Sequence, residues 1–274
     1  MIRRVLFALL LAAIAVYTVF PFYWALVGSF QSESRIFASP AYYVPAPPVL
    51  DSYRQVFSNA TFVRALGNSV VVACATTLLA LAAGSLAAYA LARYRMRGRE
   101  ATLTVILALT MFPQISVVGA VHTVVTRLGL HNTLAGLVVS YMLITLPFTV
   151  WVLTNFFRSL PRELEESAYV DGATPLQTFW RVLMPLSAPG LVTTGLLTFI
   201  SAWNEYLFAL SLTVTDRART VPVALANFAG ASAHQTPWGA IMAASVVVTL
   251  PLVILVLVFQ RRLVEGLTAG ALKG

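Results

Sequence analysis

Long stretches without an ionised side chain dominate the chain. No Asp, Glu, Lys or Arg occurs within residues 5–31, 65–92, 101–126, 128–157, 182–204 or 220–260. A helix that crosses a bilayer needs about 20 mostly apolar residues, and each of these runs is long enough. The pattern predicts six spans, near 5–28, 67–92, 101–125, 133–157, 188–210 and 238–260. In hydrocarbon the backbone must satisfy its own hydrogen bonds, so such segments are helices rather than open strands. The predicted fold is therefore an all-α, polytopic membrane helix bundle forming a single domain over residues 1–274, with Pro113, Pro147 and Pro251 read as kinks.

Composition narrows the function. Hydrophobic residues make up 59% of the chain and charged ones only 10%, against about 25% charged in soluble domains. The net charge of +8 is spread between apolar blocks rather than along one stripe, which argues against a nucleic-acid partner. Its distribution instead sets topology. Twelve Lys and Arg residues flank one side of the six spans, including both chain ends, and six flank the other. The positive-inside rule then predicts both termini in the cytoplasm of a cell-membrane protein. The arginine cluster at 93–99 is the strongest anchor and is expected at anionic lipid head groups. The first apolar run is too long for an ordinary signal peptide and carries Phe22, Tyr23 and Trp24 near its far end, so it is read as an uncleaved span. Lys273 is the only lysine, so the chain has no phosphate-binding loop of the GxxxxGK[ST] type. Any ATP must be bound by another chain. Cys74 is the only cysteine and lies in an apolar run, so neither a disulfide within the chain nor thiol catalysis is expected.

Two outer loops, 31–64 and 211–237, are long; the first contains an amphipathic stretch at 50–57 and the second is a candidate partner contact. The inner loop 158–187 is the most informative. Pro161 precedes a first turn crowded with Glu163, Glu165 and Glu166, where carboxylates complement the positive end of a helix. Gly172 supplies a stop, Thr174 and Gln177 make a capping box, and Pro175 opens a second helix with Leu176, Phe179, Trp180, Leu183 and Met184 on its apolar face. Pro185 and Pro189 end it before the fifth span. A knob of two short helices joined by a glycine turn can dock into a groove on a cytoplasmic partner.

The pattern Glu166-Ser167-Ala168-x-x-x-Gly172, with Glu165, Asp171 and Ala173 around it and Leu183-x-Pro185 after it, resembles the EAA loop of carbohydrate ABC importer permeases of the maltose and trehalose type. Ser167 stands where that pattern has alanine. The segment Ala202-Trp203-Asn204-Glu205-Tyr206 and the tail 261–274, with Gly266, Thr268, Gly270 and Lys273, are similar to the same family. The resemblance implies a non-catalytic subunit that forms a translocation pathway with a second homologous permease. It further implies two ATPase subunits beneath, which bind ATP and Mg, and an extracellular or periplasmic solute-binding protein above. The chain itself would bind no cofactor. Arg162, Glu165, Glu166, Ser167, Ala168, Asp171, Gly172 and Ala173 would form the ATPase-coupling loop, with Arg162 or Glu165 pairing with ATPase charges, and the tail would approach the ATPase pair. The implied cargo is an α-linked disaccharide such as maltose or trehalose.

The polar residues inside the spans fit that reading without proving a cargo. Sugars are held by planar polar groups beside aromatic faces, which makes Trp203, Asn204, Glu205 and Tyr206 candidate pathway residues, although most intramembrane amides stitch helices together. A proton-coupled secondary transporter needs a paired acidic site at mid-depth, and Glu205 falls instead near the outer end of its span. His122 has no second ligand at metal-binding spacing in the sequence, so no metal site is expected. The alternatives kept open are an ion-coupled transporter and the same importer class carrying a polyol or glycerol phosphate.

Overall fold

The apolar runs fold as helices whose breaks fall where the sequence supplies prolines, glycines or caps. The computed structural model describes residues 2–45, 47–230 and 236–271, with side chains described from residue 3 to 228 (bar 46) and 236 to 261. In chain order the helices are α1 (Ile2–Ser29), α2 (Glu33–Ile36), α3 (Asp51–Ser58), α4 (Ala60–Arg93), α5 (Arg99–Thr110), α6 (Gln114–Arg127), α7 (Leu134–Ser159), α8 (Glu163–Val170) and α9 (Pro175–Thr178). A π-helical turn over Phe179–Leu183 follows, then α10 (Met184–Leu186), α11 (Ala188–Trp203), α12 (Leu207–Leu212), α13 (Val221–Gly230) and α14 (Trp238–Ala271). No strand occurs among the described residues.

Among the described residues four helices are long and apolar enough to cross a membrane by themselves, and up to six crossings result if each of two bent pairs is one span. The expected third span, 101–125, is such a pair: α5 and α6 meet at 95° across residues 111–113. Pro113 is the reason. Its fixed φ of −62° with an extended ψ makes it the N-cap of α6 rather than a kink inside one helix. The fifth span also departs from expectation, because α11 ends at Trp203 and residues 204–206 form a turn before α12.

The chain divides into two compact units whose boundaries fall within α4, at the start of α13 and within α14. In the unit made of residues 1–66 and 221–251, the last turn of α1 is buried while residues 3–23 are exposed all round. Ser29 Oγ lies 2.9 Å from Tyr53 Oη, the Gln31 amide donates to the Tyr42 carbonyl at 2.8 Å, and Phe62 meets Phe228 edge-on. The expected amphipathic stretch is α3, which buries Ser52 and Val56.

In the unit made of 67–220 and 252–274, α4, α7 and α11 approach closely at small residues. A Cβ on Gly84 would stand 2.7 Å from Thr149 Cγ2, and one on Gly195 2.9 Å from Leu81 Cδ1. Such contacts are how helices pack where lipid removes the hydrophobic drive. Thr149 and Thr198 hydroxyls join α7 to α11 at 3.1 Å. Asn132, in the left-handed region at φ 59°, accepts from the N–H groups of Val214 and Thr215 at 3.0 and 3.1 Å. It thereby fastens the α6–α7 turn to the chain after α12.

Candidate functional site

The knob at 158–187 is built almost entirely from local capping. The first turn of α8 carries Glu163, Glu165 and Glu166. Its far end closes on a full Schellman motif: Gly172 N–H donates to the Tyr169 carbonyl at 3.0 Å and Ala173 N–H to the Ala168 carbonyl at 2.9 Å, with Gly172 at φ +82°. Two residues later both arms of the capping box form. Gln177 N–H donates to Thr174 Oγ1 at 3.3 Å, and Thr174 N–H donates to Gln177 Oε1 at 2.8 Å. The π-helical turn then carries the chain into α10 and α11 with a bend of 77°.

That turn sorts the apolar face differently from a plain helix. Phe179 and Leu183 are buried in a core with Tyr89, Leu153 and Phe157, whereas Leu176 and Trp180 are exposed. Together with Val170, which is 88% exposed, and Tyr169, they leave an apolar, aromatic surface beside the outward side chains of Arg162, Glu166, Ser167 and Asp171. Ala168 is buried.

Glu165 does not join that surface. It is buried, and its Oε1 lies 2.5 Å from Arg93 Nε at the end of α4, with the two side chains only 8% and 7% exposed. Arg93 also donates through Nη2 to the Leu160 carbonyl just past α7, at 3.1 Å. Tyr89 Oη lies 3.5 Å from both Glu165 Oε2 and Tyr169 Oη. Of Arg162 and Glu165, the two residues expected to pair with ATPase charges, Glu165 is thus paired within the chain while Arg162 is exposed, and of the 93–99 cluster Arg95 and Arg97 are exposed and Arg93 is not. Arg93, Tyr89 and Tyr169 escaped the sequence reading. The only available signal was an arginine in the last turn of a spanning helix.

At the end of α11, Trp203 and Glu205 are buried while Asn204 and Tyr206 are exposed. The Glu205 carboxylate accepts from Phe208 N–H at 2.8 Å and Ala209 N–H at 3.1 Å, so it caps α12. Glu205→Ala leaves two buried donors without an acceptor and is expected to lower stability by about 2 kcal/mol, with Glu205→Gln milder because one acceptor oxygen remains. Thermal unfolding of the purified protein in detergent checks the order. Ser201, one turn before Asn204, borders a hollow of about 250 Å³ between α7 and α11, shared with Phe148, Thr145 and Thr198. His122 does have a histidine neighbour, His131, with ring centroids 5.1 Å apart, but no group of three or more metal-ligating side chains occurs among the described residues.

Residues 80–268 match the family of binding-protein-dependent transport system inner membrane components. The chain belongs to this family. The permease is 43% identical to the trehalose/maltose transport system permease protein of Thermococcus litoralis, over 100% of this chain and 98% of that one. It is 42% identical to the trehalose transport system permease protein of Mycobacterium tuberculosis, over 99% and 98%. It is 39% identical to the sulfoquinovosyl glycerol transport system permease protein of Agrobacterium fabrum, over 93% and 89%. Its fold is that of a chain in the crystal structure of a bacterial ABC transporter involved in import of the acidic polysaccharide alginate, with a TM-score of 0.83 over 95% of this permease and 96% of that chain at 24% identity. The permease is thus a multi-pass component of an ABC importer and a non-catalytic one, since ATP hydrolysis in such systems resides in separate ATPase subunits. Of the tail positions, Gly266, Thr268 and Gly270 fall on the last stretch of α14, where side chains are outside the described ones, and Lys273 lies outside the described residues.

Proposed function

We propose that this permease subunit pairs with a second, homologous permease to form the translocation path of an ATP-driven carbohydrate importer, and that its cargo is an α-linked disaccharide such as maltose or trehalose. The observation that carries the coupling role is the rigid knob at α8–α9, fixed by a Schellman motif and a capping box and presenting Arg162, Glu166, Ser167, Asp171 and Gly172 outward. Two ATPase subunits carrying ATP and Mg dock beneath it, and Ala168 and Glu165 hold it from behind. The tail residues Gly266, Thr268, Gly270 and Lys273 approach the same ATPases. The excess of basic residues on the flanks that include both ends supports a cytoplasmic position for the termini.

On the outer side, Asn204 and Tyr206 face the path together with the hollow bordered by Ser201, and Trp203 and Glu205 brace them from inside. A solute-binding protein delivers the sugar from above. The cargo class is supported by the two relatives above 40% identity, both of which are named for trehalose transport. The sulfoquinovosyl glycerol relative keeps a glycosylated polyol as a second reading.

Reconstitution into proteoliposomes with the neighbouring permease, ATPase and binding protein tests the proposal. Trehalose or maltose uptake that requires internal ATP and all four components is the expected result. Uptake by this chain alone, driven by an ion gradient, overturns it; uptake of only the polyol glycoside moves the cargo to the second reading.

A further inference from the structure

Few apolar side chains hold α8 against its own bundle: Ala168 is buried and Leu164 half-buried. Its only buried residues are Glu165 and Ala168, and its apolar Val170 points outward. A cleft of about 180 Å³ runs beside it, bordered by Arg93, Tyr94, Arg162, Glu165, Glu166 and Tyr169, so side-chain packing does not fill that side. In the wall of this cleft the ion pair from Glu165 to Arg93 ties α8 to α4. Its placement suits both partners. Arg93 is the last residue of α4, where the helix end is negative, and Glu165 is in the first turn of α8, where it is positive. Through Nη2, Arg93 also holds the Leu160 carbonyl, so one guanidinium joins α4, the end of α7 and α8.

We propose that Arg93 and Glu165 are a positioning pair for energy coupling: the joint through which movement of the docked α8 surface is passed to α4 and α7. The inference rests on the coupling role proposed above and adds which residues carry the force. A buried pair suits this task because separating it strands an unpaired charge away from water, so the joint moves as a unit or breaks. Glu166, the next residue, borders the same cleft but is exposed and open to the ATPase, whereas Glu165 is buried against Arg93 and makes α8 part of the bundle.

The test uses the complete importer in proteoliposomes with wild type, Glu165→Gln, Arg93→Gln and the exchange Arg93→Glu/Glu165→Arg. Three readouts are taken: ATPase subunits retained on purification, ATP hydrolysis, and sugar moved per ATP. Both single variants are expected to retain the ATPase and hydrolyse ATP while sugar moved per ATP falls about tenfold or more, the scale of ordinary inter-site coupling. The exchange is expected to recover part of the loss. Unchanged sugar per ATP in Glu165→Gln overturns the joint. So does failure of Glu165→Gln to insert or to bind the ATPase, which assigns the pair to folding alone. A wild-type complex in which hydrolysis and sugar movement are unconnected overturns instead the coupling role beneath it.

Discussion

Gly172→Val is expected to cut solute uptake by the assembled importer to background while leaving the permease inserted in the membrane. The reasoning starts from the backbone. Gly172 sits at φ +82°, and a Cβ there would meet nothing within 4 Å, so the damage is conformational rather than a clash. For an L-residue the left-handed region costs about 1–2 kcal/mol, and a β-branched side chain suits it worst. The Schellman bonds from Gly172 and Ala173 depend on that conformation, and they set the angle at which α8 meets the capping box at Thr174. Losing them re-aims the surface of Glu166 and Asp171 without touching any span. Gly172→Asn is the informative control, because asparagine tolerates the left-handed region and is expected to keep much of the uptake. Transport assays, ATPase retention on purification and protease protection of the outer loops read the three consequences. Wild-type uptake in the valine variant would sink the docking role of the turn.

The second large effect is on stability. Gly136→Leu is expected to destabilise the fold by about 3 kcal/mol or more, with a marked loss of properly folded protein in detergent. Gly136 is in the first turn of α7, and its N–H donates to the Thr133 side chain at 3.1 Å. A Cβ at this position would run into the Leu130 carbonyl and stand 3.2 Å from Val125 Cγ1. The carbonyl is not free to yield, because it accepts the Thr133 hydroxyl at 2.7 Å. Gly119→Ala, in α6 with nothing within 4 Å of its Cβ, is expected to be neutral or slightly stabilising, since alanine favours a helix by up to about 1 kcal/mol over glycine. Thermal unfolding of the two variants in the same detergent separates crowding from propensity.

The knob was legible because its signals are local. Gly172, Thr174, Pro175 and Gln177 each act within a few residues, and capping physics needs no knowledge of the rest of the chain. The positions and apolar character of the long helices were legible for a similar reason, since a charge-free run states its own length. Direction was not. Pro113 reads equally as a kink or as the start of a new helix, and only packing around 111–113 selects the second with its 95° bend. The end of α11 at Trp203 was hidden in the same way, because Glu205 looks like a terminal charge until its carboxylate is seen on the N–H groups of Phe208 and Ala209. The pairing of Arg93 with Glu165 was the least accessible. Arg93 begins a run of four arginines, Glu165 sits among three glutamates, and composition cannot say which member of each turns inward.

The π-helical turn at Phe179–Leu183 gives the connection one residue more than an α-helical path of the same height would hold. Each residue of an α-helix advances about 100° around the axis, so removing one here would swing the chain before it, α8 included, a quarter-turn or more about the axis of the 175–186 segment. Trp180 would then rotate toward the core and Phe179 away from it. Chain length between Ala173 and Ala188 is therefore as much a specification as the residues themselves: a deletion that spares every named side chain would still leave the knob facing the wrong way.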